Sequence, residues 1–484
     1  MKEKYDTVII GAGIGGLICG CYLSKAGLDV LIIEQQNKPG GYCVSFKKGE
    51  FNFDAGGHYL GGVRRGILGK ILEELDLKSH IKYKQFDPSE KIILPNNMLY
   101  LRADPRDTIR EFRKNFSKEK INIDNFFKFI MQKNFLDIYT KVKKTTFKEV
   151  VDSFFESNQL KATLGAFLFN SGTPPGKAAA SPAIVLFRQY LLDPGYYPSG
   201  GFQKFPDVLA ENFENNGGKI ILSNKVNKII TDSNKIKGVI IDGNRAIGAN
   251  NVISNADATE TFKKMLDIPN REATIVDKMI PSPSMFILYL GLNINLREKL
   301  RESCNIYYFS TYNIDEIFSN LDKILMIDKI PSIFCVPISL HNYSNEFKKG
   351  SMVILTIAPY KSCKFWDKNK DSISERIVSL ANKLIPGLLS SIELQICATP
   401  ITLSKYTLNR EGAFAGWLPI LSQTKADLLP QKTSIDRLYI VGQWCTSSYL
   451  PSGGIANVAL TGRRVARWII EDSNRIWKYP ELYL

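Results

Sequence analysis

Histidine is scarce: His58, His80 and His341 are the only three in 484 residues. They lie far apart without ligand spacing, so each is expected to be structural or exposed. The eight cysteines, Cys19, Cys21, Cys43, Cys304, Cys335, Cys363, Cys397 and Cys445, form no CxxC pair. That argues against a zinc site or a disulfide framework and for a reducing, cytoplasmic setting. A long apolar run is missing as well. Thr7 to Ser24 carries no charge, but Gly11, Gly13, Gly15, Gly16 and Gly20 break it into strand, turn and helix, and no later segment offers roughly 20 apolar residues in succession. Glu3 and Asp6 also suit a signal peptide poorly. Acid is in deficit, with 48 Asp+Glu against 63 Lys+Arg and a formal net charge of +15. Such a balance suits an anionic surface, nucleic acid or acidic lipid.

What is present is material for a large core: 44% hydrophobic residues, 27 Phe and 21 Tyr. A chain of this length is expected to divide into two or three units. Val8 to Ile10, Gly11 to Gly16, a following Ala/Leu/Cys-rich helix and Val30 to Ile33 read as a βαβ unit. In Gly11-Ala12-Gly13-Ile14-Gly15-Gly16 the first glycine permits a tight turn. The second, Gly13, lets backbone approach a pyrophosphate, and the third, Gly16, lets helix and strand pack closely. Glu34 ends the next strand, where a carboxylate accepts both ribose hydroxyls. The pattern predicts a bound dinucleotide on a helix N-terminus. Further strands are expected at 217–222, 236–243, 285–292, 352–358 and 438–441, and a helix from about Gly454 to Glu471. No repeat and no low-complexity linker occurs.

A second glycine cluster, Pro39-Gly40-Gly41, is followed by Ser45 and by Phe53-Asp54-Ala55-Gly56-Gly57-His58. Here the chain resembles the FAD-dependent amine oxidase superfamily, in which such a Gly-Gly pair wraps extended FAD. The resemblance places Val226 where backbone meets the adenine edge. Tyr439-Ile440-Val441-Gly442-Gln443-Trp444 and Pro451-Ser452-Gly453-Gly454-Ile455-Ala456-Asn457 resemble the segment reaching the flavin ring end. It therefore implies FAD held by Gly11, Gly13, Gly16, Glu34, Gly40, Gly41, Ser45, Gly57, Val226, Gly442, Gln443, Gly453, Gly454 and Ile455. There is no second GxGxxG for a separate NAD(P)H site. Within the superfamily the sequence is similar to the phytoene desaturase, carotenoid isomerase and retinol saturase branch. Pro198-Ser199-Gly200-Gly201-Phe202, Val252 to Ala258 and Gly412 to Trp417 carry that likeness. Tyr42 stands where many members have Arg, and His58-Tyr59-Leu60-Gly61 leans toward saturases and isomerases.

The expected fold is α/β: a discontinuous Rossmann-type FAD-binding domain (1–70, 200–260 and 431–484) with an interleaved α+β substrate domain (71–199 and 261–430). The resemblance implies an oxidoreductase acting on carbon–carbon bonds of a long apolar isoprenoid or polyene, with quinone or oxygen as possible electron acceptor. The rivals are an FAD-dependent amine oxidase and a non-enzymatic prenyl carrier of the GDP-dissociation-inhibitor type. The pattern across 109–155 reads as helical. Phe112, Phe116, Phe126, Phe127, Phe129, Ile130, Phe135 and Leu136 there interleave with Arg113, Lys114, Lys118, Lys120, Lys128 and Lys133. This stretch is expected either to insert its aromatic side into an anionic membrane, as a peripheral protein, or to pack in the core under a solvated basic face. No recognised module supports nucleic acid as a partner. His58, Glu411 and Tyr406 are the acid–base candidates, and none is assigned as catalytic.

Overall fold

The computed structural model describes residues 2–132, 134–300, 302, 304–321, 330–341, 349–424, 428–445 and 453–482. The first strand, Lys4–Ile10, buries its apolar Val8 and Ile9 completely, each worth roughly 1.5 to 3 kcal/mol of removal from water. Burial on both faces is the condition of a parallel strand between helices. It pairs in parallel with Val30–Ile33 on one side and with Arg245–Ser254 on the other. Lys219–Ile221 extends the sheet beyond Val30–Ile33. Arg245–Ser254 is long enough to serve two partners on its outer edge. Its first part pairs antiparallel with Lys235–Ile241, and its last three residues run parallel to Leu438–Ile440. Val226–Asp232 completes the seven strands.

The register aligns the strand ends. Ile10 lies opposite both Ile33 and Ser254, Ile33 opposite Ile221, and Ser254 opposite Ile440. The next residues, Gly11, Glu34, Asn255 and the Val441-Gly442 pair, therefore emerge along one carboxyl edge, where open α/β sheets bind their ligands. Helices Ile14–Lys25, Lys204–Asn215 and Ile455–Asp472 share one core on a face of this sheet.

A second seven-stranded sheet has the order Ile392–Ala398, Ser284–Leu292, Gly350–Ala358, Ser332–Val336, Asn305–Phe309, Glu90–Leu94, Asn97–Leu101. Only its Asn305–Phe309 and Glu90–Leu94 pair is parallel. The helices between Pro105 and Leu192 close its core. The two units interpenetrate. Phe51 and Phe53 pack in this second core, whereas Ile71, Leu72, Leu75, Leu77 and Ile81 pack in the nucleotide-side core.

In the Phe-rich region the aromatic side chains take the core-packed of the two expected arrangements. Phe112, Phe116, Phe126, Phe127, Ile130 and Phe135 are buried in the second core, and Phe129 is half-buried against it. An aromatic face is therefore not available for insertion, because amphipathic helices such as Pro105–Asn115 and Lys120–Ile130 turn that face inward. Lys114, Lys118, Lys120 and Lys128 remain outside, together with the exposed Ile121, Met131 and Leu136; Lys133 lies outside the described residues. No helix among the described residues is long and apolar enough to cross a membrane.

Candidate functional site

Two cavities meet at the carboxyl edge of the first sheet. The smaller, about 250 Å³, runs over the glycine loop and past Glu34. The larger, about 410 Å³, lies between the two sheets. Gly41, Tyr42, Cys43, Phe414, Gly454 and Ile455 border both, so the cavities adjoin.

The glycine loop is shaped by steric need. Gly11 has φ +95, a conformation that favours glycine. A Cβ on Gly13 would stand 2.7 Å from Asn255 Nδ2, and one on Gly16 would stand 2.3 Å from the Gly11 carbonyl oxygen. Helix Ile14–Lys25 starts at Gly13 with no side-chain cap, leaving its first N–H groups for an anion. Helix Ile455–Asp472 opens in the same way at Gly454, which has φ 92. Two uncapped helix ends facing a cleft, one floored by glycine, fit an extended dinucleotide with a pyrophosphate at one end and an electron-rich ring at the other.

Glu34 is buried, and its Oε2 accepts the Ala12 N–H at 2.7 Å while Oε1 accepts the Gln36 N–H at 2.8 Å. Burial raises its pKa, and those backbone donors pull it back. Two of the roughly four acceptor positions of a carboxylate are thus taken, which leaves capacity for ribose hydroxyls.

Of the residues expected to hold FAD, Gly11, Gly13, Glu34, Gly40, Gly41, Val226, Gly442, Gln443, Gly454 and Ile455 line the smaller cavity. Gly57 lines the larger one. Gly16 acts beneath the loop as the close-packing glycine, and Gly453 packs on Ala415, whose Cα would lie 3.0 Å from an added Cβ. Ser45 departs from expectation and borders neither cavity: its hydroxyl donates to Asp54 Oδ1 at 2.5 Å and accepts the Gln203 N–H at 3.0 Å. Pro451 and Ser452 lie outside the described residues.

Among the acid–base candidates, Glu411 is exposed and lines neither of these cavities. Tyr406 stands at their outer side, 39% exposed. His58 lines the larger cavity with its ring against Tyr59 and Phe334. Burial pushes its pKa down to about 4, so it is a neutral imidazole at pH 7. Sequence reasoning missed Glu90, Asn170, Tyr190 and Tyr307, which gather behind and along this wall. They come from separate segments with no shared motif, so only the fold brings them together.

The larger cavity is walled mostly by apolar side chains such as Phe169, Leu186, Met285, Ile287, Phe334 and Leu355. The one charged residue among its described lining is Lys38, whose ammonium donates to the Ser45 carbonyl.

Residues 14–470 match the family described as flavin containing amine oxidoreductase. Over 529 aligned residues, the chain is 27% identical to a chloroplastic prolycopene isomerase of Daucus carota, covering 99% of this chain and 82% of that protein. Over 505 residues, it is 24% identical to an all-trans-retinol 13,14-reductase of Rattus norvegicus, covering 92% and 83% respectively. Its fold is similar to that of an oxidoreductase from Methanosarcina mazei, with a TM-score of 0.66 at 18% identity, over 95% of this chain and 99% of the other. With the glycine loop, the Glu34 carboxylate and the two helix ends in place along one cleft, the chain belongs to the flavin-containing amine oxidoreductase family and is an FAD-dependent oxidoreductase.

Proposed function

We propose that this enzyme acts on the carbon–carbon bonds of a long apolar isoprenoid or polyene. The observation that carries the reading is the largely apolar cavity of about 410 Å³ that adjoins the cleft over the glycine loop. Specific sites combine such apolar walls with a few placed polar groups, and a polyene needs little more than a dry, shaped wall. The likeness to a prolycopene isomerase and a retinol reductase supports the same substrate class. Bound FAD supplies hydride exchange. The chain supplies the rest: backbone at Gly11, Gly13 and Gly454 holds the cofactor, Glu34 fixes its ribose, and residues such as Phe334 and Leu355 exclude water.

An amine substrate is less well served. An alkylammonium ion calls for a carboxylate or a desolvated aromatic cage, and the one formal charge on the described lining is the cation Lys38. A carrier would have no use for the phosphate-binding loop and the second helix end that this chain retains. The basic face bearing Lys118, Lys120 and Lys128, with Ile121 and Leu136 exposed beside it, supports peripheral attachment to an anionic membrane. A quinone within that membrane, or oxygen, would take the electrons of a net oxidation.

Titrating the FAD-loaded protein with prolycopene, all-trans-retinol and putrescine tests the reading. A saturable perturbation of the flavin absorption band by a polyene, with none by the diamine, is expected; the reverse pattern contradicts it.

A further inference from the structure

Lys38 lines the larger cavity and not the cleft over the glycine loop. Its ammonium donates to the Ser45 carbonyl, and Phe46, the next residue of strand Ser45–Lys48, lines the cavity as well. An ammonium has three donors. The other two have no partner among the described residues, and no described carboxylate pairs with Lys38. The residue is half-buried, on a segment that borders solvent. Just before it, Gln35 and Gln36 donate to the Tyr406 carbonyl at 3.4 and 2.7 Å, and Tyr406 and Thr402 of helix Pro400–Thr407 line the cavity while exposed. Phe169, Leu186 and Phe334 line it from the buried second core. The cavity thus joins a wet, singly cationic mouth to a dry, apolar interior.

Charge and volume both limit what fits. A pure hydrocarbon offers the ammonium no counter-ion. A phosphate brings a charge of about −1.5 to −2 at pH 7, more than one cation balances, and the described lining holds no second. A carboxylate brings one charge and can accept both free donors in charge-assisted hydrogen bonds. As for volume, about 150 Å³ of apolar cavity holds one benzene, or about 25 Å³ per carbon, so about 410 Å³ encloses roughly 16 carbons. That is the scale of a retinoid chain and falls short of a full-length carotenoid.

We propose that the substrate is a polyene carboxylic acid, with its chain in the cavity and its carboxylate held by the Lys38 ammonium at the mouth. This rests on the polyene reading and narrows it. Lys38 is then a specificity-determining residue, because an anchored end fixes how far along the chain the bond presented to FAD lies.

The test titrates FAD-loaded wild type, Lys38→Met and Lys38→Arg at about pH 7.5, where a carboxylic acid is ionised, with all-trans-retinoic acid, all-trans-retinol, retinyl phosphate and prolycopene. The flavin absorption band reports binding, and equilibrium dialysis of each ligand checks it. Charge-assisted hydrogen bonds are worth about ten- to a hundredfold in affinity. Wild type is therefore expected to bind retinoic acid at least about tenfold more tightly than retinol, and more tightly than the phosphate or prolycopene. Lys38→Met should lose that preference while keeping its FAD and its retinol affinity, and Lys38→Arg should restore it. Equal binding of acid and alcohol by wild type, a preference that survives in Lys38→Met, or retinyl phosphate or prolycopene binding as tightly as the acid would each overturn the proposal alone. FAD lost from Lys38→Met would assign the ammonium to the cofactor and overturn it too. A wild type that binds none of the four ligands while loaded with FAD would contradict the polyene reading and remove the proposal with it.

Discussion

Glu34 and Glu90 are both buried acids, but backbone donors hold both oxygens of the first while one oxygen of the second has nothing. Glu34 is thus held in place with acceptor capacity left for the ribose we propose it binds. Removing charge-assisted hydrogen bonds of this kind costs about 1.5 to 3 kcal/mol, so Glu34→Ala should bind FAD roughly ten- to a hundredfold more weakly in equilibrium dialysis. Wild-type affinity would contradict the assignment. For Glu90, the folded pKa of about 7 lies above the ordinary 4.5. Between these values the folded protein holds a proton that the unfolded chain has released. Its stabilising contribution therefore shrinks as pH rises through this window and is gone above about 7. His58 acts oppositely, because its folded pKa of about 4 lies below 6.5, so stability is lost as pH falls toward 4. The windows overlap, and the informative quantity is the urea-melt difference between wild type and Glu90→Gln. It should move against wild type by about 3 kcal/mol from pH 5 to 8; a flat difference would contradict the burial argument. Glu34 was legible because a motif fixes its spacing from the glycine loop. Glu90 was not, since a single acid in an apolar strand carries no mark of what packs over it.

At the scale of elements, the glycine loop is a contact between backbones. A Cβ on Gly16 would stand 2.3 Å from the Gly11 oxygen, which sits on backbone and cannot swing aside as a side chain would. Gly16→Ala should therefore part helix Ile14–Lys25 from strand Lys4–Ile10 and lower both Tm and FAD content. Unaltered FAD content at wild-type Tm would show that the loop has slack. This unit was readable because strand, turn and helix are adjacent in sequence. The Lys120–Ile130 helix shows the opposite case: its pattern marks an apolar face, but only the fold reveals that Phe126 and Phe127 meet Phe154, Phe187 and Phe112 rather than lipid. Ser45 similarly follows the Gly-Gly pair closely enough to look like a ligand, yet hairpin Ser45–Lys48/Phe51–Asp54 turns its hydroxyl onto Asp54.

For the whole molecule, the cleft with the glycine loop lies at the carboxyl edge of the first sheet and the second sheet roofs an apolar cavity beside it, and on the reading proposed here the reacting bond would meet FAD where the two adjoin. The same arrangement leaves the outer helices free to carry a basic face. Binding to anionic vesicles should exceed binding to neutral ones and weaken as salt shortens the screening length to about 10 Å at 0.1 M; equal binding to both vesicle types would remove the membrane from the account. The strands at 285–292 and 352–358 were legible as short apolar runs. The cavity was not, because Phe169, Phe334 and Leu355 come from three distant segments that only the finished fold brings together. The central claim is that this FAD enzyme works on polyene carbon–carbon bonds. Its most direct test is mass and isomer analysis of prolycopene and all-trans-retinol recovered after anaerobic incubation with oxidised and with reduced holoenzyme. A two-hydrogen change in mass or a change of double-bond geometry, dependent on the flavin's redox state, is the predicted result; both polyenes recovered unaltered from both incubations would contradict it.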